Sequence, residues 1–287
     1  MIECKNLTFS YRKSLPVLND FNLTISEGGI YGILGKNGAG KSTLLHLICG
    51  LLTPTKGEVT LNGLDVRRRM PSTLCQTFLV PEEFELPNIT MEEYCRINAP
   101  FYPNFSVDDL KRNLEMFELS FNINLGQLSM GQKKKAFMSF ALACNTQVLI
   151  MDEPTNGLDI SSKMQFRRFV ASHMNDDRIV IISTHQVHDI ELLLDHIILV
   201  DQRQLLLNEP TTNITRALRF HNSLSEPDIN DSSLLFSSRN VGGFANISYR
   251  SAEDDETDIN LESLFELCCK NPRLINNIFN NSENQQG

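Results

Sequence analysis

The sequence predicts an α/β fold with a mostly parallel sheet, an antiparallel β edge, a helical insert and a small α+β appendage at the C-terminal end. Continuous apolar runs at 148–151, 179–182 and 197–200 are separated by helical lengths, as expected for parallel strands buried on both faces. A helical pattern without a strong strand run fills 89–145. After Pro210 the sequence becomes more polar and acidic, which predicts a boundary there.

The antiparallel edge is predicted by the N-terminal segments. Apolar residues alternate at 2–11 and 21–25, which is typical of strands with one buried face. A third strand at 30–34 runs into glycines and then into a periodic helical segment at 44–51. Residues 58–63 end in Asn-Gly and predict a hairpin.

The C-terminal region predicts a mixture of strands and one helix. Strand-like pieces lie at 234–237 and 244–249, and apolar residues at helical spacing follow at 261–268. We expect that helix to pack on the rest of the chain, and the Asn-rich residues after it to be frayed.

Composition and charge argue against several classes of protein. The chain has 287 residues and a net charge of -9, which disfavours a nucleic-acid partner because phosphate binding needs a basic face. Its seven cysteines are scattered, without a CxxC pair or metal spacing, and read as reduced thiols. No export signal and no apolar run of 18 residues is visible, so a membrane role requires a partner that spans the bilayer.

Residues 35–42 read GKNGAGKS and match the phosphate-loop pattern GxxxxGK[ST] between a predicted strand and a predicted helix. The glycines let successive N–H groups point at phosphate oxygens, Lys41 adds a cation, and the Ser42 hydroxyl suits Mg²⁺. The sequence therefore predicts a P-loop NTPase core. The residues expected to bind ATP here are Gly35, Lys36, Asn37, Gly38, Ala39, Gly40, Lys41, Ser42 and Thr43. The loop by itself fits kinases, GTPases, motors and transport ATPases alike.

The apolar strand at 148–151 ends in two carboxylates, Asp152 and Glu153. Asp152 suits Mg²⁺, and Glu153 is placed to polarise an attacking water. An apolar strand that ends in an acid is common, so a plain strand-end turn is the alternative. The neighbouring motifs decide between the two readings.

Three further motifs surround this strand. LSMGQ at 128–132 lies about 20 residues before it, and NGLD at 156–159 and ISTH at 182–185 lie after it. With the phosphate loop and the acidic strand end, they make residues 1–210 resemble the ABC ATPase family, whose signature LSGGQ appears here with Met130 in place of glycine. Ser129 also stands at a predicted helix start, where free N–H groups favour an anion.

The resemblance implies a nucleotide site shared between two chains. Ser129, Gly131 and Gln132 would serve the nucleotide held by the opposite subunit, so the partner is a second ABC ATPase subunit, as a homodimer or a heterodimer. Asp159 is also expected to bind nucleotide. His185 would contact the terminal phosphate and link it to Glu153 as the second catalytic residue.

The aromatic residue and the linker segment are also assigned by resemblance. Tyr11 occupies the place where the family stacks a ring on adenine, with local packing as the alternative. Glu82 stands where most relatives have glutamine, and its carboxylate could approach both nucleotide and Mg²⁺. Gln76 is the competing candidate, but Glu82 is preferred because it follows Val-Pro. Glutamate at this place resembles bacterial drug and antibiotic exporters.

The predicted function is therefore an ATP-hydrolysing ABC transporter subunit that uses ATP and Mg²⁺. We expect it to power an exporter through separate transmembrane permease subunits, bound at the cytoplasmic face of the membrane. The expected domains are 1–210, with a helical subdomain at about 89–140, and an accessory region at 211–287. A soluble ABC ATPase acting on ribosomes or nucleic acid is the alternative. A small-molecule kinase leaves LSMGQ unexplained. Lysines 133–135 are interpreted as a solvated helix face.

Overall fold

A computed structural model describes residues 1–12, 15–228 and 231–283 of the chain. The strands are β1 Ile2–Phe9, β2 Leu18–Ile25, β3 Gly29–Leu34, β4 Lys56–Leu61, β5 Leu64–Asp65, β6 Thr77–Val80, β7 Val148–Asp152, β8 Ile179–Thr184, β9 His196–Asp201, β10 Gln204–Pro210, β11 Leu218–Ser223, β12 Leu234–Asn240 and β13 Gly243–Tyr249. The helices are α1 Lys41–Ile48, α2 Pro71–Leu74, α3 Met91–Asn98, α4 Val107–Met116, α5 Met130–Ala143, α6 Ile160–Ala171, α7 Thr211–Ala217, α8 Leu261–Lys270 and α9 Pro272–Glu283.

The central sheet has the order β10-β9-β3-β8-β7-β6 and is parallel except for β10, which pairs antiparallel with β9. Every residue of β7 and β8 is buried, as the continuous apolar runs predicted, and every residue of β3 is buried as well. The sequence pattern did not predict β6, because a strand of four residues followed by Pro81 is too short to show a period.

The predicted antiparallel edge is a separate sheet with the order β2-β1-β4-β5. The hairpin between β4 and β5 turns at Asn62 and Gly63, which have φ values of 51° and 77°. Two positive φ values in a two-residue loop are the geometry that Asn-Gly favours, so the predicted turn is confirmed.

The helical insert consists of α3, α4 and α5. Side chains at the first residue before each helix accept a backbone N–H and so cap it: Thr90, Ser106 and Ser129. The insert packs on the sheet through Phe140, which is fully buried and contacts the rings of Phe78 and Tyr94.

The C-terminal region carries a three-stranded antiparallel sheet with the order β11-β13-β12, covered by α8. Its buried residues Leu264 and Leu267 belong to the same apolar cluster as Leu199 of β9, so the appendage shares a core with the preceding residues. The expectation of a frayed end after α8 is wrong for 272–283, which form α9. Ile275 and Phe279 are buried one helical turn apart, and they attach this Asn-rich helix to the core. Residues 284–287 lie outside the described residues.

Among the described residues, none of the helices combines the length and the apolarity that crossing a bilayer requires.

Candidate functional site

A cleft of about 620 Å³ opens at the carboxyl ends of β3, β7 and β8, where parallel sheets place their ligands. The lining residues come from the segment between β1 and β2, the phosphate loop with the start of α1, the linker after β6, the loop after β7 and the loop after β8. They are Tyr11, Val17, Asn37, Gly38, Gly40, Lys41, Ser42, Thr43, Glu82, Glu153, Asn156 and His185. The fold therefore brings together residues from four of the predicted motifs.

The phosphate loop is a compact turn that leads into α1. Gly40 precedes the helix with φ 101°, and the Lys41 ammonium donates hydrogen bonds to the carbonyl oxygens of Gly35 at 2.8 Å and Lys36 at 3.4 Å. A Cβ on Gly35 would lie 2.2 Å from the carbonyl oxygen of Val200, so only glycine fits there. The loop leaves the N-terminal N–H groups of α1 directed at the cleft, which suits an anion.

Lys41 is the buried cation of the cleft, with 6% of its surface exposed. Burial lowers the pKa of its ammonium, and the carboxylates of Glu153, Asp152 and Glu82 raise it in opposition. Its nitrogen lies 3.8 Å from Oε1 of Glu153. The three carboxylates neutralise the positive charge of Lys41 only in part, and a phosphate bound here would neutralise the rest.

Glu153 is held in one orientation by its neighbours. Its backbone has φ 46°, a left-handed conformation that is uncommon outside glycine. Oε2 accepts a hydrogen bond from the Thr184 hydroxyl at 3.0 Å, and Oε1 lies 2.8 Å from Nδ1 of His185. Because a carboxylate oxygen accepts, Nδ1 of His185 carries a hydrogen, and Nε2 is the ring nitrogen left for another partner.

The oxygen donors predicted for Mg²⁺ divide between the cleft and the layer beneath it. Ser42 and Glu82 line the cleft, and Oε1 of Glu82 accepts a hydrogen bond from Asn156 at 3.0 Å. Asp152 is buried, and its carboxylate accepts a hydrogen bond from the Ser183 hydroxyl. A hydroxyl and two carboxylates are the hard oxygen donors that Mg²⁺ prefers, so the residues present fit this ion.

The competing candidate for the linker position, Gln76, lies elsewhere. Its amide nitrogen donates to the carbonyl oxygen of Ser72 at 2.6 Å, and its amide oxygen accepts from Asn62 at 2.9 Å. Gln76 is thus engaged at the antiparallel edge, whereas Glu82 reaches the cleft.

Tyr11 stands at the mouth of the cleft with 62% of its surface exposed. Its hydroxyl is 3.1 Å from the Thr43 hydroxyl, and its ring meets Phe9 edge-on at 4.9 Å. One face of the ring is therefore available for stacking beside the phosphate loop.

The signature residues form the start of α5 and lie outside the residues that line the cleft. The Ser129 hydroxyl accepts the N–H of Gln132, and the Gln132 side chain accepts the N–H of Ser129, which is a complete capping box. Met130 is 57% exposed, so the replacement of glycine places an apolar side chain on this surface. Gly131 approaches the carbonyl oxygen of Gly157 in the loop after β7.

Asp159 caps α6. Its carboxylate accepts the N–H of Ser162 at 2.7 Å and the hydroxyl of Ser161 at 2.9 Å, and these hydrogen bonds lower its pKa to about 2. This carboxylate fixes where the loop after β7 turns into the helix.

The interpretation of lysines 133–135 as a solvated face is wrong for Lys134. Its side chain is buried, and its ammonium donates to the carbonyl oxygens of Glu153 at 3.3 Å and Asn156 at 2.8 Å. The helical period carried a signal for this, because Lys134 shares a face with Met138 and Ala141, both of which are buried. Lys134 ties the signature helix to the loop that bears Glu153.

Two further residues of the site were missed by sequence reasoning. Thr184 binds the Glu153 carboxylate, and Asn156 binds Glu82. Both lie inside the quoted motifs ISTH and NGLD, but only the fold shows that their side chains contact the acids.

Comparison with known proteins gives a consistent result. Residues 18–156 match the family model described as ABC transporter. The bacitracin transport ATP-binding protein BcrA of Bacillus licheniformis is 30% identical over 242 residues, which cover 82% of this chain and 78% of that protein.

Solved structures agree with the sequence match. A bacterial ABC transporter cassette solved as a dimer superposes with a TM-score of 0.65 at 26% identity, over 73% of this chain and 98% of that one. A dimeric cassette in a post-hydrolysis state with ADP and phosphate superposes with a TM-score of 0.63 at 27% identity, over the same shares of the two chains. With the motifs, the fold and a relative at this identity and coverage, the chain belongs to the ABC transporter family of ATP-binding proteins.

Proposed function

We propose that this chain binds and hydrolyses ATP as the nucleotide-binding subunit of an ABC exporter. The observation that carries the proposal is the arrangement around Glu153. Thr184 and His185 orient its carboxylate, and Lys41 of the phosphate loop lies 3.8 Å from the same group. A general base is thus placed beside the group that would hold the terminal phosphate.

The proposed chemistry uses this geometry. Glu153 accepts a proton from the water that attacks the terminal phosphorus. His185 donates from Nδ1–H to the base and from Nε2–H to the phosphate, which requires the ring to carry both hydrogens. Lys41 and the N–H groups of the phosphate loop bind the charge that develops on the leaving phosphate. Tyr11 stacks on the adenine ring at the mouth of the cleft.

Mg²⁺ is the proposed metal. Ser42 and Glu82 would hold it directly and Asp152 would support it from the buried layer, and the bound ion would offset phosphate charge. Glu82 in place of glutamine adds a negative charge next to that ion and keeps its hydrogen bond to Asn156.

The proposed active unit is a dimer of ABC ATPase subunits. Ser129, Gly131 and Gln132 lie at an exposed helix start outside the cleft of their own subunit, so they would complete the cleft of the other. Asp159, at the turn into α6, would lie in the same interface. Similarity to cassettes solved as dimers supports this assembly.

A separate transmembrane permease is the proposed membrane partner. A groove of about 510 Å³ lies between the core and the helical insert, next to the strand that leads to Glu82. Its rim exposes large apolar side chains: Leu51, Leu74 and Phe101, the last 69% exposed. A helix from a permease at the cytoplasmic face of the membrane fits such a groove, and motion of the insert would pass to it.

The domain division and the direction of transport follow from the same proposal. Residues 1–210 would form the ATPase and 211–287 an accessory region on it. Export is supported by the similarity to the Nod factor export ATP-binding protein I of Cupriavidus pinatubonensis, which is 31% identical over 191 residues. The alternative, a soluble ABC ATPase acting on ribosomes or nucleic acid, has no comparable support among these relatives.

The test is Glu153→Gln. Removing the base while keeping the shape should abolish turnover and trap an ATP-bound dimer, seen as a doubled mass in size-exclusion chromatography with light scattering. Glu58→Gln, an exposed acid on β4, is the matched control and should leave turnover unchanged.

Two results would contradict the proposal. If Glu153→Gln hydrolysed ATP at the wild-type rate, Glu153 would not be the base. If the tagged chain purified from detergent extracts with ribosomes or DNA and without an integral membrane protein, the transporter role would fall.

A further inference from the structure

A second cavity, of about 460 Å³, lies between the phosphate loop, the segment after β8 and helix α8. It shares Asn37 and His185 with the nucleotide cleft, so the two spaces adjoin. Its apolar walls come from Leu34, Val187, Leu261 and Phe265. The C-terminal appendage thus contributes one wall of a cavity that opens next to the site of hydrolysis.

The α8 side of this cavity is acidic at its rim and attached to the cassette. Glu262 and Glu266 have side chains that are 67% and 51% exposed. Glu266 pairs through Oε2 with the Lys270 ammonium at 3.0 Å, and its exposed carboxylate can accept a second cation. Glu262 lies 3.4 Å from Nε2 of His188, and the Lys36 ammonium lies 5.9 Å from the centre of the Phe265 ring. These contacts fix α8 against both the phosphate loop and the switch segment.

Helix α6, which follows the loop after β7, exposes a surface that is complementary to this cavity. Ile160 is 81% exposed and Met164 is 47% exposed, and Arg168 is exposed on the same face. These residues stand at positions i, i+4 and i+8, and the row they form, here called the α6 stripe, is about 12 Å long. Two apolar side chains followed by a guanidinium complement an apolar cavity with two carboxylates at its rim.

Symmetry brings the stripe and the cavity together. In a two-fold dimer the signature at Ser129 of one subunit meets the phosphate loop of the other. The loop after β7 runs from Asn156 in the cleft, past Gly157 beside the signature, to Ile160 at the start of α6. The start of α6 therefore lies on the dimer face, opposite the region around the partner's phosphate loop and switch segment.

We infer that the α6 stripe of one subunit seats in the cavity between the phosphate loop, the switch segment and α8 of a second copy of the chain. Ile160 and Met164 fill the apolar walls, and Arg168 reaches the carboxylates of Glu262 and Glu266. The accessory region is then a part of the ATP-dependent dimer contact. This inference rests on the proposed dimer and adds a surface to it.

Cysteine cross-linking tests whether the α6 stripe binds in the cavity of the second copy. All variants carry Glu153→Gln to hold the ATP-bound dimer and Cys269→Ser to remove the thiol nearest the probe. One chain carries Arg168→Cys, and the other carries Glu266→Cys with a size tag that separates mixed from like dimers. Under a short bifunctional maleimide with ATP, the mixed pair should give a covalently linked dimer on denaturing gels.

The matched control replaces Glu266→Cys with Leu224→Cys, a site that is 92% exposed on the same accessory region. Two thiols held in one interface have an effective concentration of about millimolar, so the Arg168–Glu266 pair should react at least about a hundredfold faster than the control pair at micromolar protein. Without ATP the two pairs should react equally slowly.

Charge reversal gives a second readout. Arg168→Glu should weaken the ATP-bound dimer by about two- to fivefold, the range expected of a rim charge pair, and Glu266→Lys in the same chain should restore it.

The outcomes separate the two proposals. An ATP-bound dimer in which the Arg168–Glu266 pair reacts no faster than the control leaves the dimer standing and shows that the α6 stripe does not bind in this cavity. If no ATP-bound dimer forms, the dimer proposal fails, and the proposed contact between the α6 stripe and the cavity fails with it.

Discussion

Replacement of Lys134 by methionine tests how the signature helix controls the catalytic base. Methionine is about as long as lysine and apolar, so it fills the buried space but removes the two hydrogen bonds to the carbonyl oxygens of Glu153 and Asn156, at 3.3 Å and 2.8 Å. Hydrogen bonds to a charged group contribute about 1.5–3 kcal/mol each. Burial lowers the pKa of Lys134, which shows that holding this cation is itself costly, so part of that gain is offset.

We therefore expect Lys134→Met to lower the free energy of unfolding by about 1–3 kcal/mol, because the lost hydrogen bonds outweigh the relief of desolvation. The larger effect should be on turnover. The backbone of Glu153 loses its tie to α5, and a displacement of about 1 Å at a reacting group costs up to about 100-fold in rate, so kcat should fall about 10- to 100-fold. Affinity for ATP should stay near the wild-type value, because Lys134 does not line the cleft.

The assay compares phosphate release and urea unfolding for Lys134→Met and for Lys133→Met. Lys133 is the preceding residue of the same helix and is only half-buried, so its replacement should change neither quantity much. Wild-type kcat in Lys134→Met, or an equal loss in both variants, would refute the reasoning that this buried ammonium positions the base.

Three other outcomes follow from the site. Thr184→Val removes the hydroxyl that binds the Glu153 carboxylate and should lower kcat about tenfold, equivalent to about 1.4 kcal/mol, with ATP affinity unchanged in a nucleotide titration; unchanged kcat would mean that this hydrogen bond does not orient the base. Gly35→Ala places a Cβ 2.2 Å from the carbonyl oxygen of Val200 and should abolish ATP binding, which the same titration checks; wild-type affinity would contradict the crowding argument. Asp159→Ala removes the α6 cap. Because the pKa of Asp159 is lowered to about 2, the cap stabilises fully above the usual aspartate pKa of about 4, and its effect is lost as the pH falls through 2. The difference in urea midpoint between wild type and variant should be constant from about pH 7 to 5 and shrink below about 4, and a difference independent of pH would count against this.

Short-range patterns account for much of the fold. The buried strands β7, β8 and β9 are visible as continuous apolar runs, and the turn at Asn62 and Gly63 follows from its own dihedral preferences. The sequence pattern did not reveal β6, whose four residues are a strand only because they pair with β7. It also did not reveal α9, whose apolar residues are few and gain their burial from the core.

The candidate site divides in the same way. The sequence by itself determined the phosphate loop, because its residues are contiguous and glycine is required by local backbone geometry. It also determined the family, through the order of the motifs. Only the tertiary structure decided the contacts between Glu153, Thr184 and His185, the hydrogen bond from Asn156 to Glu82, and the burial of Lys134.

The physical reason is separation along the chain. Thr184 and Glu153 are 31 residues apart, and Asn156 and Glu82 are 74 apart, so no local pattern records their meeting. Parallel strands bring their carboxyl ends to one edge of the sheet, and that topology places the acids, the hydroxyl and the imidazole together. The placement of α8 beside the phosphate loop is likewise a product of packing, since Leu264 and Leu267 join a core that the preceding residues had already formed.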